Sequence, residues 1–182
     1  KSLIAVAALL AVGVVHAQAT DTLKKIKDSG SVTMGVRESS GALSYTLGDG
    51  KYAGFHVEVC QRVLGDIQKS LGLPKLDIKY QAVTSQNRIP LVQNGTVDIE
   101  CGSTTNNATR QKDVSFAPTL YVEEVRMAVK ANSGITSIAQ LNGKSVATTT
   151  GTTSVQTLRK NERATGVDVD FDEKVMAALA QE

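Results

Sequence analysis

The sequence predicts an α/β fold in two lobes. Strand-like and helix-like segments alternate along the chain, a pattern typical of parallel strands joined by crossover helices. A long β-prone run near residues 114–134 interrupts this alternation, which then restarts. We therefore expect a first lobe (residues 20–121), an interdomain crossing strand (122–128) and part of a second lobe (129–182).

The N-terminal segment predicts a secretory signal peptide over residues 1–19. One lysine precedes an apolar run at residues 3–15, and small residues follow. A membrane-spanning helix needs roughly 20 apolar residues, so this run is too short for a good anchor. Cleavage after Ala17 and cleavage after Ala19 both satisfy the small-residue rule. We expect an exported, periplasmic protein.

The first lobe opens with a short helix at residues 21–30, in which Asp21 or Thr22 is the N-cap and Gly30 the stop signal. The later segments are predicted from alternation, turn residues and apolar periodicity. They are a strand (31–37), a hairpin around the turn GDG (43–55), a helix (55–71), a strand (75–83), a short helix (85–95) and a strand (96–100).

Apolar residues four positions apart predict that the helix at 55–71 is amphipathic. They are Val59, Val63, Ile67 and Leu71.

The second lobe is predicted to contain a short helix near residue 138, a strand (145–148), a polar loop with the sequence TTTGTTS and a helix that begins near Thr152. One more strand and a helix at 173–182 follow. Because this last apolar pattern has no stop signal, we expect the second lobe to be incomplete.

Composition argues against several classes of function. The chain has 20 basic and 18 acidic residues, and removal of residues 1–19 takes one lysine and leaves a net charge of +1. Such balance does not predict a nucleic-acid or membrane-surface partner. His56 has no further histidine or cysteine at ligand spacing, so no metal site is expected. The GKS at residues 143–145 lacks the preceding glycine of a phosphate loop, and we expect no cofactor.

Two cysteines, Cys60 and Cys101, occur in a chain that is expected to be exported. An oxidising compartment permits a disulfide between them. Two buried thiols are the alternative, and the spacing does not decide between the two.

Polar loops with arginines follow the predicted strands. Arg37 ends one strand, Arg88 follows the sequence TSQN, and Arg110 follows CGSTTNNAT. The carboxyl ends of parallel strands share one edge of the sheet, where ligands bind in such folds. Arginine holds carboxylates in a two-pronged geometry, and helix starts attract anions. Each arginine alone is more often a solvated surface residue, but three at one edge indicate a small ligand with more than one negative charge.

Three motifs together closely resemble the periplasmic glutamate/aspartate-binding proteins of amino-acid ABC importers, within family 3 of solute-binding proteins. They are VRESSGALSY, TSQNRIPLVQNGTVDIECGSTTNNATRQKDVSF and LNGKSVATTTGTTS. The resemblance implies a type II periplasmic-binding-protein fold, in which two α/β lobes close around glutamate or aspartate. It also implies a monomer that delivers its ligand to the transmembrane subunits of an ABC permease.

The resemblance also implies a role for particular residues. Arg110 would hold the α-carboxylate of the ligand, and Ser103 and Thr105 its α-amino and α-carboxylate groups. The second lobe would assist through Thr152 and Thr153. The side-chain carboxylate would be held by Arg37, Ser85 and Arg88.

Two alternatives use the same scaffold. A dehydratase-like enzyme would need a general acid or base in the cleft. The nearby carboxylates, Glu38 and Glu100, are more simply interpreted as partners of the neighbouring arginines. The other alternative is the ligand-sensing domain of a receptor.

Overall fold

A computed structural model, which describes residues 21–166 and 168–172, confirms the α/β alternation. The helices in this part are α1 (Thr22–Ser29), α2 (Phe55–Ser70), α3 (Arg88–Gln93) and α4 (Thr153–Thr165). The strands are β1 (Ser31–Val36), β2 (Ser39–Ser40), β3 (Ser44–Gly48), β4 (Lys51–Ala53), β5 (Asp77–Ala82), β6 (Ile99–Glu100), β7 (Ser145–Ala147) and β8 (Asp170–Asp172). The predicted signal peptide and the helix expected at 173–182 lie outside the described residues.

The sheet of the first lobe has the order β5-β1-β6, and both pairings are parallel. Along β1, the side chains of Val32, Met34 and Val36 alternate with their neighbours and are fully buried. They form one core cluster with Val57 and Leu64 of α2. Since β1 is the central strand, its carboxyl end lies between those of its two partners, and the loops that follow all three strands meet there.

A disulfide joins Cys60 of α2 to Cys101, which directly follows β6, across a Cα–Cα distance of 6.3 Å. Cys101 is buried in the core cluster, and Cys60 packs against it. The loop that begins after β6 is therefore tied covalently to the helix that covers the sheet.

The apolar face of α2 differs from the predicted one. Val57 and Leu64 are the fully buried members of the helix, whereas Val63 is 44% exposed. A helix turns once every 3.6 residues, so a row of residues spaced by four drifts around it. Ile67 and Leu71 stay near the core because they lie three and seven positions after Leu64.

Asp98 connects three parts of the first lobe. Its side chain is 4% exposed and accepts hydrogen bonds from Lys25 Nζ of α1 and from the backbone N of Thr33 in β1, both at 2.8 Å. Buried carboxylates need such partners to offset the loss of hydration. The short loop before β6 is thereby fastened to the first helix and the central strand.

Replacing Asp98 with alanine is expected to lower the free energy of unfolding by about 2 kcal/mol, because two hydrogen bonds to a buried charge are lost. Chemical denaturation measures the loss. Asp66→Ala is the matched control, since its ion pair with Lys69 is exposed on both sides (77% and 81%) and should contribute less than about 0.5 kcal/mol. Equal effects of the two substitutions would contradict the assigned role of Asp98.

The hairpin predicted around GDG is present. The strands β3 and β4 pair in antiparallel fashion, and β2 extends the same sheet. Asp49 and Gly50 of the turn both have positive φ angles, of 50° and 70°, as a tight hairpin connection requires.

The predicted crossing strand at residues 122–128 is not a strand in the described structure, nor does any residue from 114 to 134 belong to a helix or strand. Val122 is 84% exposed and Leu120 54%. A strand needs a hydrogen-bonded neighbour, and within the described part of the chain this segment pairs with none. The β propensity of its side chains is insufficient without that partner. The lobe boundaries themselves stay a prediction.

The described part of the second lobe has a small core of its own. The strands β7 and β8 pair in parallel, and Leu141 and Val169 are buried together. Glu162 of α4 accepts a hydrogen bond from the backbone N of Val169 at 2.8 Å. This bond, together with the nearby Arg159, lowers the pKa of Glu162. The ionised Glu162 therefore stabilises the fold at neutral pH, and this stabilisation is lost as the pH falls through the lowered pKa.

Candidate functional site

The three arginines singled out in the sequence meet at the carboxyl edge of the first sheet. Arg37 directly follows β1, Arg88 begins α3 after β5, and Arg110 ends the loop after β6. Their charges lie close enough for Arg37 and Arg110 each to disfavour the charged form of Arg88. Parallel topology therefore produces the arrangement expected from the sequence, with like charges held together at one place.

Arg88 is the most deeply placed of the three, with only 3% of its surface exposed. Among the residues that the structure describes, no acceptor forms a hydrogen bond with its Nε or Nη1. Burial lowers the pKa of Arg88 to about 10, and the charge of Glu100 only partly opposes this. Buried guanidinium donors almost always have partners, so these donors indicate a place for an anionic acceptor.

Glu100 ends β6 and lies in the same cluster as the three arginines. Burial raises the pKa of its carboxyl group, and the side chain of Thr104 and the nearby charges of Arg88 and Arg37 reduce the shift. Its Oε1 atom is buried and accepts no hydrogen bond from the described residues. The cluster thus combines three positive charges with one negative charge.

Arg37 is held in position by the first lobe. Its Nη1 donates to the carbonyl of Val83 at 3.1 Å, and its Nε donates to Ser40 Oγ at 3.2 Å. The hydroxyls of Ser40 and Ser103 lie 3.0 Å apart and share a hydrogen bond. Burial lowers the pKa of Arg37, against the charges of Glu100 and Glu38. Ser103 is therefore connected to Arg37 through one intermediate side chain.

The backbone at Gly102 passes close to the cluster. A Cβ atom at this residue would stand 2.3 Å from Glu100 Oε1 and 2.5 Å from Arg37 Cγ. A side chain at position 102 would therefore force those of Glu100 and Arg37 to shift. The loop lies directly against both charged side chains.

Arg110 reaches from the first lobe to the second. Its Nη1 donates to the carbonyl of Thr105 at 3.0 Å, and its Nη2 donates to the carbonyl of Gly151 at 3.0 Å. Burial lowers the pKa of Arg110, whereas the charge of Glu100 opposes the shift. The contact with Gly151 brings the loop TTTGTTS to the edge that carries the arginines.

A cleft of about 420 Å³ lies between the two lobes beside this contact. Its lining includes Ser85 and Arg110 from the first lobe and Thr152 from the second. Thr152 occupies the N-cap position of α4, but its hydroxyl donates to the carbonyl of Thr149 and does not cap the helix. Thr153, which was predicted beside it, does not line this cleft.

A larger groove of about 710 Å³ runs beneath residues 114–123. Its lining includes Arg88, Glu100, Ser103 and Thr105, together with many apolar side chains. Six of the eight predicted site residues thus line two adjoining spaces, which share Ile89 in their walls, whereas Arg37 and Thr153 line neither.

Three contributors were absent from the predicted site. Glu100 was interpreted only as a partner of the arginines, and Ser40 and Gly151 were not singled out. A signal for Gly151 was present, since it interrupts a run of five threonines and one serine. Its φ angle is +79°, and a Cβ there would stand 2.6 Å from the carbonyl O of Ser85.

The described residues contain no group of three or more histidines, cysteines or acidic residues that could hold a metal ion. Within the same residues, none of the helices has both the length and the apolar character needed to cross a membrane.

Comparison with known proteins identifies relatives by sequence. The L-glutamate/L-aspartate-binding protein of Pseudomonas aeruginosa is 49% identical over 156 residues, which are 85% of this chain and 51% of that protein. The glutamate/aspartate import solute-binding protein of Salmonella typhimurium is 42% identical over 156 residues, 83% of this chain and 52% of that protein. The chain thus spans about half the length of these relatives.

A solved structure supports the fold. An ancestral amino acid-binding protein, described as a precursor of cyclohexadienyl dehydratase, matches with a TM-score of 0.64 and 25% identity. The match covers 88% of this chain and 68% of that protein. Together with further amino-acid receptors, it confirms the type II periplasmic-binding-protein fold that the motifs implied.

The family model for bacterial extracellular solute-binding proteins, family 3, matches residues 32–181. This range begins in β1 and contains all of the candidate site residues. It confirms the resemblance drawn from the loop motifs, and the chain belongs to family 3 of the bacterial extracellular solute-binding proteins.

Proposed function

We propose that the protein binds glutamate or aspartate outside the cytoplasm and delivers it to the transmembrane subunits of an ABC importer. The observation that carries this proposal is the buried guanidinium of Arg88, whose Nε and Nη1 have no acceptor among the described residues. A ligand with a side-chain carboxylate supplies such an acceptor, whereas an apolar side chain leaves the buried donors without one. The names of the relatives agree with an acidic amino acid.

In the proposed complex, each arginine has a separate task. Arg110 binds the α-carboxylate, because it lies in the cleft between the lobes and belongs to the loop that also carries Ser103 and Thr105. Arg88 and Arg37 bind the side-chain carboxylate from the floor of the site, with Ser85 beside them. Thr152 and Thr153 assist from the second lobe.

Binding is proposed to be coupled to closure of the two lobes. The hydrogen bond between Arg110 and Gly151 and the close approach of Gly151 to Ser85 support this coupling. Both contacts join the second lobe to residues that would hold the ligand. A closed arrangement excludes water and strengthens the charged interactions inside it.

The protein is proposed to act as a periplasmic monomer and not as an enzyme. The disulfide between Cys60 and Cys101 supports an oxidising compartment. Recovery of the bound amino acid from the protein, followed by mass spectrometry, is expected to return it chemically unchanged. A dehydrated product would favour the dehydratase alternative.

A ligand screen tests the proposed function. The thermal unfolding of the full-length protein is measured in the presence of glutamate, aspartate, glutamine, arginine and leucine. A rise in melting temperature with glutamate and aspartate alone is expected, because a ligand that binds only the folded state stabilises it. A rise with glutamine or arginine, and none with the acidic pair, would overturn the proposal. Calorimetry with glutamate and aspartate then measures which is bound more tightly.

A further inference from the structure

The carboxylate of Glu100 lies within the cluster of arginines that is proposed to hold the ligand, although it has the same sign of charge as the ligand carboxylates. It faces Arg88 of α3, Arg37 at the end of β1 and His56 of α2, each of which favours its charged form. Arg110 also feels its charge. A like charge in a site for an anion requires a physical reason.

Glu100 acts on the arginines through its electric field and not through a tight ion pair. Among the described residues, no ion pair joins it to Arg37, Arg88 or Arg110. Its Oε1 and the Nε and Nη1 of Arg88 are all buried without hydrogen-bond partners. A glutamine side chain, which has nearly the same shape, would therefore change the charge of the site, although Thr104 also stabilises the charged form of Glu100.

Stability does not explain this charge. Burial disfavours the ionised carboxylate of Glu100 more than the neighbouring positive charges favour it, and the pKa is raised as a result. An acid with a raised pKa in the folded state favours folding most at low pH, and this contribution is lost as the pH rises through the folded-state value. At neutral pH the ionised form thus costs stability.

We propose that Glu100 limits the affinity of the site for acidic amino acids by offsetting one of the three arginine charges. This inference rests on the proposed function. Glutamate and aspartate carry two carboxylates and one ammonium group, a net charge of −1, and are repelled by Glu100. Glutamine has no net charge and is affected far less. A binding protein must also release its ligand, so its affinity must not be too high. The charge of Glu100 lowers the affinity without removing any of the arginine hydrogen-bond donors.

The substitution Glu100→Gln in the full-length protein tests the proposal. Calorimetry near neutral pH is expected to show roughly tenfold tighter binding of glutamate and aspartate, because a repulsive charge in a partly shielded site is removed. Binding of glutamine should change by less than about threefold, since its net charge is zero. Glu100→Asp keeps the charge and should retain the affinities of the unmodified protein.

Glu38→Gln is the matched control. Glu38 also favours the charged form of Arg37, but its side chain is exposed to solvent. Water and salt screen such a charge, so the affinity for glutamate should change by less than about twofold.

The pH dependence of binding separates a charge effect from a packing effect. As the pH is lowered from neutrality through the raised pKa of Glu100, its carboxyl group becomes protonated in the unmodified protein and binding of glutamate should tighten, while the ligand carboxylate, with an ordinary pKa of about 4.3, stays ionised. Arg37, Arg88 and Arg110 remain charged. His56 faces Glu100 as well and is present in both proteins. The part of the pH dependence that this variant abolishes belongs to Glu100.

Three outcomes would overturn the inference. Equal weakening of glutamate, aspartate and glutamine by Glu100→Gln would show that the carboxylate holds the α-ammonium group. Unchanged affinity and an unchanged pH profile would show that its charge is screened. If the unmodified protein binds neither glutamate nor aspartate, the proposed function fails together with this inference. If the unmodified protein binds them and the variant does not bind more tightly, only the inference on Glu100 fails.

Discussion

Replacing Arg88 with methionine is expected to weaken the binding of glutamate and aspartate by roughly 100- to 1000-fold, because a buried charge that pairs with the side-chain carboxylate is removed. The residual binding of glutamine should fall much less. Methionine has a similar length and no charge to desolvate. Since burial lowers the pKa of Arg88 to about 10, its ionised form costs stability at neutral pH. The ligand-free variant should therefore melt no lower than the unmodified protein.

Calorimetry gives the affinities, and thermal unfolding without ligand gives the stability. Arg62→Met is the control, because Arg62 belongs to α2 and is exposed. It should leave both quantities nearly unchanged. An equal loss of affinity for glutamate, aspartate and glutamine in Arg88→Met would show that Arg88 binds the α-carboxylate. That result would contradict the separate roles proposed for the arginines.

Replacing Gly151 with alanine is expected to weaken the binding of glutamate by roughly 100-fold, because the closed arrangement of the lobes becomes less populated. The added Cβ would stand 2.6 Å from the carbonyl O of Ser85, which belongs to the backbone and cannot rotate away. Gly151 would have to move away from Ser85 to relieve this contact, and the movement would also take its carbonyl away from Arg110 Nη2. Calorimetry on the variant measures the loss.

Gly143→Ala is the matched control for Gly151→Ala. Gly143 also has a positive φ angle, of 67°, but a Cβ there would meet no atom within 4 Å. It therefore incurs only the backbone cost of a left-handed alanine, about 1 kcal/mol of stability, and should bind glutamate normally. Equal loss of affinity in both variants would show that backbone strain, and not contact between the lobes, is responsible.

Local signals predicted most of the first lobe. The side chain of Asp21 accepts a hydrogen bond from the backbone N of Lys24, and Gly30 ends α1 in a left-handed conformation. Both effects depend on residues within four positions of each other, so they can be inferred from the sequence. The meeting of the three arginines was also predictable, because parallel topology alone places them at one edge.

Features that depend on distant neighbours were not predictable. Val63 has the right residue type for the core, but the rotation of α2 against the sheet leaves it exposed. The segment at 114–134 has residues typical of strands, yet strand formation requires a partner. Gly151 stands out within its run of threonines, but the atoms that approach Gly151 and Gly102 include those of the distant residues Ser85 and Arg37, and no local pattern identifies these neighbours.

The disulfide between Cys60 and Cys101 separates the anchoring of the polar loop from the groups that the loop displays. Cys101 stands in the sequence between Glu100 and Gly102 and just before the polar loop with Ser103 and Thr105. The start of that loop is tied covalently to α2, whatever side chains follow it. A substitution of Ser103 or Thr105 therefore changes the groups offered to a ligand while the tether at the start of the loop stays in place.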